Sequence, residues 1–249
     1  MKKRPRFGKC VHCLQDGVRV TDDHVFPKSW YPENTSTNIE KWIIPACLQC
    51  NNEYGEIEQD LLIRLGLCIN PQSPGALGIV PKVLRSINPQ EAENEKEARH
   101  RAAKRAKLLR QIRKGNDFPD ESIYPNLGEK GGRPPEQQHV ITFSAKSMRR
   151  FGEKIVRGIF YIEDSRFIEP PYIVEVHGVH DEHVAEIITI IDKFGEISAR
   201  EPGIVVCRVV SPEDAMSSLF KIEIWQQFKM YASVYNSADL PQSTSRVDY

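Results

Sequence analysis

The chain has 249 residues, 34 Lys+Arg against 34 Asp+Glu, and 40% hydrophobic with 27% charged side chains. This composition can build an ordinary core, and it excludes a uniformly polycationic coat for nucleic acid. No apolar run approaches the roughly 20 residues that span a bilayer, so no membrane partner is expected.

The zero net charge is the sum of two opposite halves. Residues 1–114 carry 20 basic and 13 acidic side chains, and residues 115–249 carry 14 and 21. Such asymmetry predicts different partners for the two halves, with a polyanion the candidate for the basic one. The start, MKKRPRFGKC, is basic but lacks the apolar stretch of a secretory signal. A cytoplasmic location is therefore expected, where six cysteines do not read as three disulfides.

In chain order, Val18–Val20 and Trp42–Ile44 read as short strands. A helix is predicted from Cys50 to Leu65, with Ile57, Leu61, Leu62 and Leu65 on one face. Asn70–Pro89 holds four prolines and reads as irregular. Pro89–Lys114 is predicted as one long helix with glutamates in its first turns and Arg99, Arg101, Lys104, Arg105 and Arg110 farther along. It is either a solvated connector or a basic rod for a phosphate backbone.

Residues 115–138 are Gly/Pro-rich and read as a linker. Beyond it, strands are expected at His139–Ser144, Tyr172–His177 and Ile204–Val210, and helices at Ala145–Gly158 and Glu182–Phe194. A final strand pair runs from Phe220 to Val234 with period-2 alternation. The resulting plan is α+β. It comprises a zinc-bound finger over 1–70, a connection and basic helix over 71–114, the linker over 115–138, a mixed α+β domain over 139–236 and a polar tail over 237–249.

Cys10-x-x-Cys13 and Cys47-x-x-Cys50 form two knuckles that can converge on one tetrahedral zinc ion. Four thiolates suffice, which makes His12 surplus; Cys68 and Cys207 read as buried thiols. The intervening loop contains Asp22-Asp23-His24-Val25-Phe26-Pro27-Lys28-Ser29, and Asn51-Asn52 follow the last knuckle cysteine.

CVHC, DDHVFPKSW and PACLQCNNEYGEIE, in this order, resemble the HNH (His-Me finger) endonucleases of the zinc-bracketed, endonuclease VII-like kind. The resemblance covers about residues 8–60. It implies a ββα-metal finger, DNA as substrate, His24 as general base, and Asp23 and Asn51 as ligands of a catalytic divalent ion. The residue types suit those roles: a base near neutrality, a hard carboxylate oxygen and a neutral amide oxygen. Lys28 is a candidate for a neighbouring phosphate.

The pattern departs from the family in two places. The asparagine that orients the base is missing from its usual spacing, leaving Asn38, then Asn34 or a backbone carbonyl, as candidates. Gly55 stands where many relatives carry a histidine, so a third ligand would be a carboxylate such as Glu53 or Glu58. That favours Mg(II) or Mn(II). Alone, His24 would read as a hydrogen-bonded surface or core residue and Asn51-Asn52 as a helix cap. The competing function is a non-catalytic zinc-finger adaptor for nucleic acid or protein. The acidic C-terminal domain is read as a module for dimerisation or a protein partner.

Overall fold

The β-branched residues Val18, Val20 and Thr21 open a strand that extends farther than its apolar residues suggest, β2 (Val18–His24). In this computed structural model, which describes residues 6–119, 123–179, 181 and 184–239, β2 is the centre of a three-stranded antiparallel sheet. Strand β1 (Arg6–Gly8) flanks it with Arg6 opposite Val20. Strand β3 (Ile43–Cys47) flanks the other side, with Val20 opposite Cys47 and His24 opposite Ile43.

Helix α1 (Leu48–Gly66) follows β3 without a loop. Cys47 is its N-cap, the thiol sulfur accepting from the Cys50 amide and satisfying one free donor of the first turn. The predicted apolar face buries Leu61, Leu62 and Leu65. Gly66 lets a second helix approach: a Cβ there would stand 2.7 Å from Val83 Cγ2.

That second helix, α2 (Ile79–Ser86), corrects the reading of 70–89 as irregular. Pro81 sits in its first turn, where the missing N–H has no helical partner to lose, so proline does not break it. The long charged helix is also shorter than expected. Pro89–Glu91 forms a separate 3-10 turn, and α3 (Glu95–Leu109) starts afresh on Asn94, whose side chain accepts from the Glu97 amide. After α3 the chain turns into β4 (Ile112–Lys114), paired with β5 (His139–Ile141). Between these strands the expected linker is a closed excursion containing the short helix α4 (Leu127–Lys130), and the Gly115 amide donates to the Gln138 carbonyl at its neck.

The C-terminal elements are α5 (Ala145–Asp164), β6 (Tyr172–His177), α6 (Val184–Phe194), β7 (Glu196–Arg200), β8 (Ile204–Val210), β9 (Ser218–Ile224) and β10 (Phe228–Asn236). Their strands make an antiparallel sheet in the order β6-β10-β9-β8-β7. One face, with Phe220, Ile222, Met230, Ala232 and Val234, belongs to the same core as Phe151, Ile155, Ile159 and Phe160 of α5. The other face receives Val184, Ile187 and Ile191 of α6 around Tyr231. Strand β7 was missed because EISAR lacks an apolar period; it is an edge strand with Ile197 exposed. Ser237 is tied to the Pro171 carbonyl, and the tail beyond Asp239 lies outside the described residues.

The core does not divide at residues 115–138. One cluster runs from Val11 to Val234. Trp30 stacks at 4.6 Å on Phe151 and 5.1 Å on Trp225, whose indole donates to the Trp30 carbonyl at 2.7 Å. Gly158 of α5 lies against Val25, where a Cβ would come within 2.5 Å of Cγ2. The fold is mixed α+β, with six α-helices and three sheets among the described residues. No helix there is long and apolar enough to cross a membrane.

Candidate functional site

The two cysteine knuckles meet. Cys10 and Cys13 belong to the β1–β2 connection, Cys47 ends β3 and Cys50 lies in the first turn of α1. Their ligand atoms all lie within 4.8 Å of one another, and Cys13 and Cys47 Sγ are 3.8 Å apart. A tetrahedral zinc site with Zn–S bonds of about 2.3 Å has sulfur–sulfur edges of about 3.8 Å.

Charge points the same way. Burial opposes ionisation of Cys10, but the amides of Cys13, Cys47 and His12 outweigh it and hold its thiol below the ordinary range. Burial and the neighbouring thiols push Cys50 far up. Sulfurs crowded this way can hold a structural metal such as zinc. The site joins the start of α1 to the strand hairpin.

Asp23 and His24 are neighbours on β2, and the pleat sends them to opposite sides. Asp23 points toward α1 and α5 and is only 4% exposed. Its Oδ2 accepts from His12 Nε2 at 2.8 Å, and its Oδ1 accepts from Lys154 Nζ at 2.7 Å. Lys154 comes from α5, is fully buried, and also donates to Glu58 of α1.

The network has internally consistent charges. Burial raises the Asp23 carboxyl, but His12 and Lys154 outweigh it and leave it below its usual value. Burial lowers His12 despite Asp23, keeping the imidazole neutral at pH 7, with its Nδ1 buried and unpaired. Burial lifts Glu58 to about 7, with Lys154 pulling the other way.

This arrangement does not fit the divalent ion that the resemblance places on Asp23. Both Asp23 oxygens are engaged, and a carboxylate pair already converges on an ammonium. An ion bound to the same carboxylates would lie about 4 Å from Lys154 Nζ. At an effective dielectric near 20, a divalent and a monovalent cation at that distance repel by about 8 kcal/mol. Mg(II) also keeps several waters, which a site this closed does not admit. Asn51 directs its amide to Thr21 Oγ1 at 2.9 Å and to the Asp22 carbonyl at 3.3 Å. These bonds lock α1 to β2 and leave only its carbonyl oxygen as a ligand atom.

His24 lies at the end of β2, partly exposed, and burial followed by the charge of Lys28 holds it below its ordinary value of 6.5. Lys41, also near it, went unnoticed in the sequence because nothing in its local pattern marks it. His24 Nδ1 is buried and without a partner, so a proton can be exchanged with solvent or substrate only at Nε2. Neither orienting candidate holds this ring. Asn38 is exposed and engages Ser36 through its backbone, and the Asn34 amide donates to the Pro74 carbonyl.

The basic candidates separate by environment. Lys28, Arg99, Arg105 and Arg110 are exposed. Arg101 is not a free cation: it pairs with Glu97 at 2.6 Å and donates to the Arg85 and Asn88 carbonyls, tying α3 to the turn before it. Lys104 is half-buried, and burial lowers it in spite of Asp60. At the N-terminus, Arg6 pairs with Asp22 and Lys9 with Glu169; Lys2, Lys3 and Arg4 lie outside the described residues. The basic residues of α5 divide: Lys146 and Arg149 are exposed, and the other three are paired. Arg150 pairs with Glu53 at 3.1 Å, Lys154 with Asp23 and Glu58, and Arg157 with Glu153.

Sequence reasoning missed two members of the buried network. His12 looked surplus beside four cysteines, but it braces Asp23 and packs 4.4 Å from the Tyr54 ring. Lys154 is 131 residues from Asp23, and no local spacing could have joined them. No family model, curated protein or solved structure matches the chain.

Proposed function

We propose that the chain is a zinc-framed endonuclease of the HNH type that hydrolyses DNA phosphodiester bonds, with His24 as general base. The observation that carries this reading is the placement of His24. It stands at the end of a strand that the cysteine cluster ties to the start of α1, neutral at pH 7, with Nε2 as its working nitrogen and Lys28 and Lys41 nearby. A neutral imidazole can take a proton from water, and adjacent ammonium groups offset charge gathering on a phosphate. The exposed arginines of α3 would add backbone contacts that position DNA without reading its sequence.

The closed state of Asp23 favours a second reading, a zinc-framed adaptor that binds nucleic acid or protein without cutting. Plasmid cleavage by the zinc-loaded full chain, with Mg(II), with Mn(II) and with neither, separates the two. Under the nuclease reading the wild type cuts and His24→Ala loses a factor of about 10²–10⁴. A wild type inert toward DNA under every condition leaves the adaptor; equal cutting by His24→Ala removes the base assignment.

A further inference from the structure

We infer that Lys154 is the resident cation of the Asp23–Glu58 site, and that this chain binds no divalent ion there. The inference takes the catalytic residues of the proposed endonuclease as given and changes the cation on which that reading depends.

Three observations carry it. The first is charge matching: Asp23 and Glu58 come from different elements, and their carboxylates meet at a single point occupied by Nζ. The second is enclosure. Lys154 is fully buried, the Tyr54 ring lies 5.5 Å from Nζ, and the remaining Asp23 oxygen is held by His12. The third is the fixed position of the helix that delivers the ammonium. Phe151, one turn before Lys154, stacks on Trp30, and Gly158, one turn after it, fits against Val25.

A tethered cation held by such packing acts at a high effective concentration, against which a free ion must compete from solution. An ammonium also carries its three donors into a dry site, whereas a hard divalent ion must bring water or find more oxygens. Asn51 could supply one further oxygen, since only its amide nitrogen is committed to β2, but one neutral oxygen falls short of the set a hard divalent ion needs.

The test is Mn(II) binding to the zinc-loaded full chain, read by electron paramagnetic resonance and by metal analysis after desalting. The set comprises wild type, Asp23→Asn, Lys154→Met and the double variant, with the Co(II)-substituted cysteine site as a spectroscopic check of folding. The wild type is expected to bind Mn(II) no better than Asp23→Asn. Lys154→Met is expected to gain at least tenfold in Mn(II) affinity and to lose that gain when Asp23→Asn is added.

A wild type that binds one Mn(II) per chain, with binding lost in Asp23→Asn, overturns the inference. If Lys154→Met does not fold, the comparison of wild type with Asp23→Asn decides alone. Failure of the endonuclease reading shows elsewhere, in DNA cleavage that is absent or unaffected by His24→Ala.

Discussion

Replacing Lys154 by Met removes the charge and keeps most of the aliphatic volume, so it isolates what the ammonium does. Two buried carboxylates would then face each other without a counter-ion, their side chains only 5% and 15% exposed. Breaking a buried pair from one side costs about 3–5 kcal/mol, a large share of the roughly 5–15 kcal/mol that holds a folded domain together. Glu58 already sits near 7, so it can take up a proton and relieve part of the strain. The expected loss at pH 7 is therefore at the low end, about 3 kcal/mol.

The pH dependence has a definite sign. Glu58 is already raised by burial and loses the one cation that pulls it down, so without Lys154 the folded state binds more protons at this carboxyl and loses stability as pH rises. The deficit of Lys154→Met should thus be larger at pH 8 than at pH 5. Denaturant titration followed by tryptophan fluorescence suits the protein, because Trp30, Trp42 and Trp225 are all buried and redden on unfolding. Zinc must be saturating throughout. A double-mutant cycle with Asp23→Asn should give a coupling above about 1.5 kcal/mol. A loss below about 1 kcal/mol, or additive single mutants, would refute the view of Lys154 as the counter-ion.

Cys50→Ser should lower the zinc content from one per chain to none after desalting and destabilise the start of α1; unchanged zinc by metal analysis would exclude the cysteine site. Glu58→Gln should flatten part of the pH profile of stability. Glu58 is raised from 4.5 to about 7, so its contribution falls as pH rises through that window, by roughly 3 kcal/mol at most. His12, lowered by burial, changes in the opposite direction, and the difference between wild type and Glu58→Gln removes its share. Parallel profiles would refute the Glu58 assignment. Gly158→Ala should cost about 1–3 kcal/mol in denaturant titration, since its Cβ would strike buried Val25; a neutral substitution would show that α5 does not press on Val25 as described.

Local signals were read well. The alternation of Phe220–Val234 is the β9–β10 hairpin, and the apolar spacing of Ile57–Leu65 is the buried face of α1. The two CxxC knuckles converge because a short sulfur spacing is a local geometric statement. Errors arose where a residue type was read without its position. Pro81 looked like a breaker but lies where a helix has no donor to lose, and Pro89 looked like the start of α3 but opens a separate turn capped by Asn88. The site was legible as a set of residues, and its state was not. Whether Asp23 is an open ligand or a closed anchor depends on Lys154, which reaches it only after α5 has packed.

That long-range contact also explains why charge summed over halves of the chain misleads about partners. The acidic half is acidic in sum, yet Arg150 and Lys154 of its first long helix neutralise Glu53, Asp23 and Glu58 of the basic half. Withdrawing Asp23 and Glu58 from solvent, with Glu53 paired at the surface, makes the outer surface of the first half more basic than its composition states. Arg101, Arg6 and Lys9 are likewise tied down within the fold. The exposed or half-buried positive charge left for a polyanion includes Lys28 and Lys41 near His24, Arg105 and Lys107 on α3 and Arg110 at its end, whereas Arg99 pairs with Glu95 at 3.6 Å. Under the proposed nuclease reading, the salt dependence of DNA binding should follow these side chains. Neutralising Lys28 or Arg105 should reduce the slope of log K against log salt by about one, whereas replacing Arg101 should change stability and leave the slope alone. An unchanged slope for Lys28→Met and Arg105→Met together would refute these side chains as contacts of the proposed DNA complex.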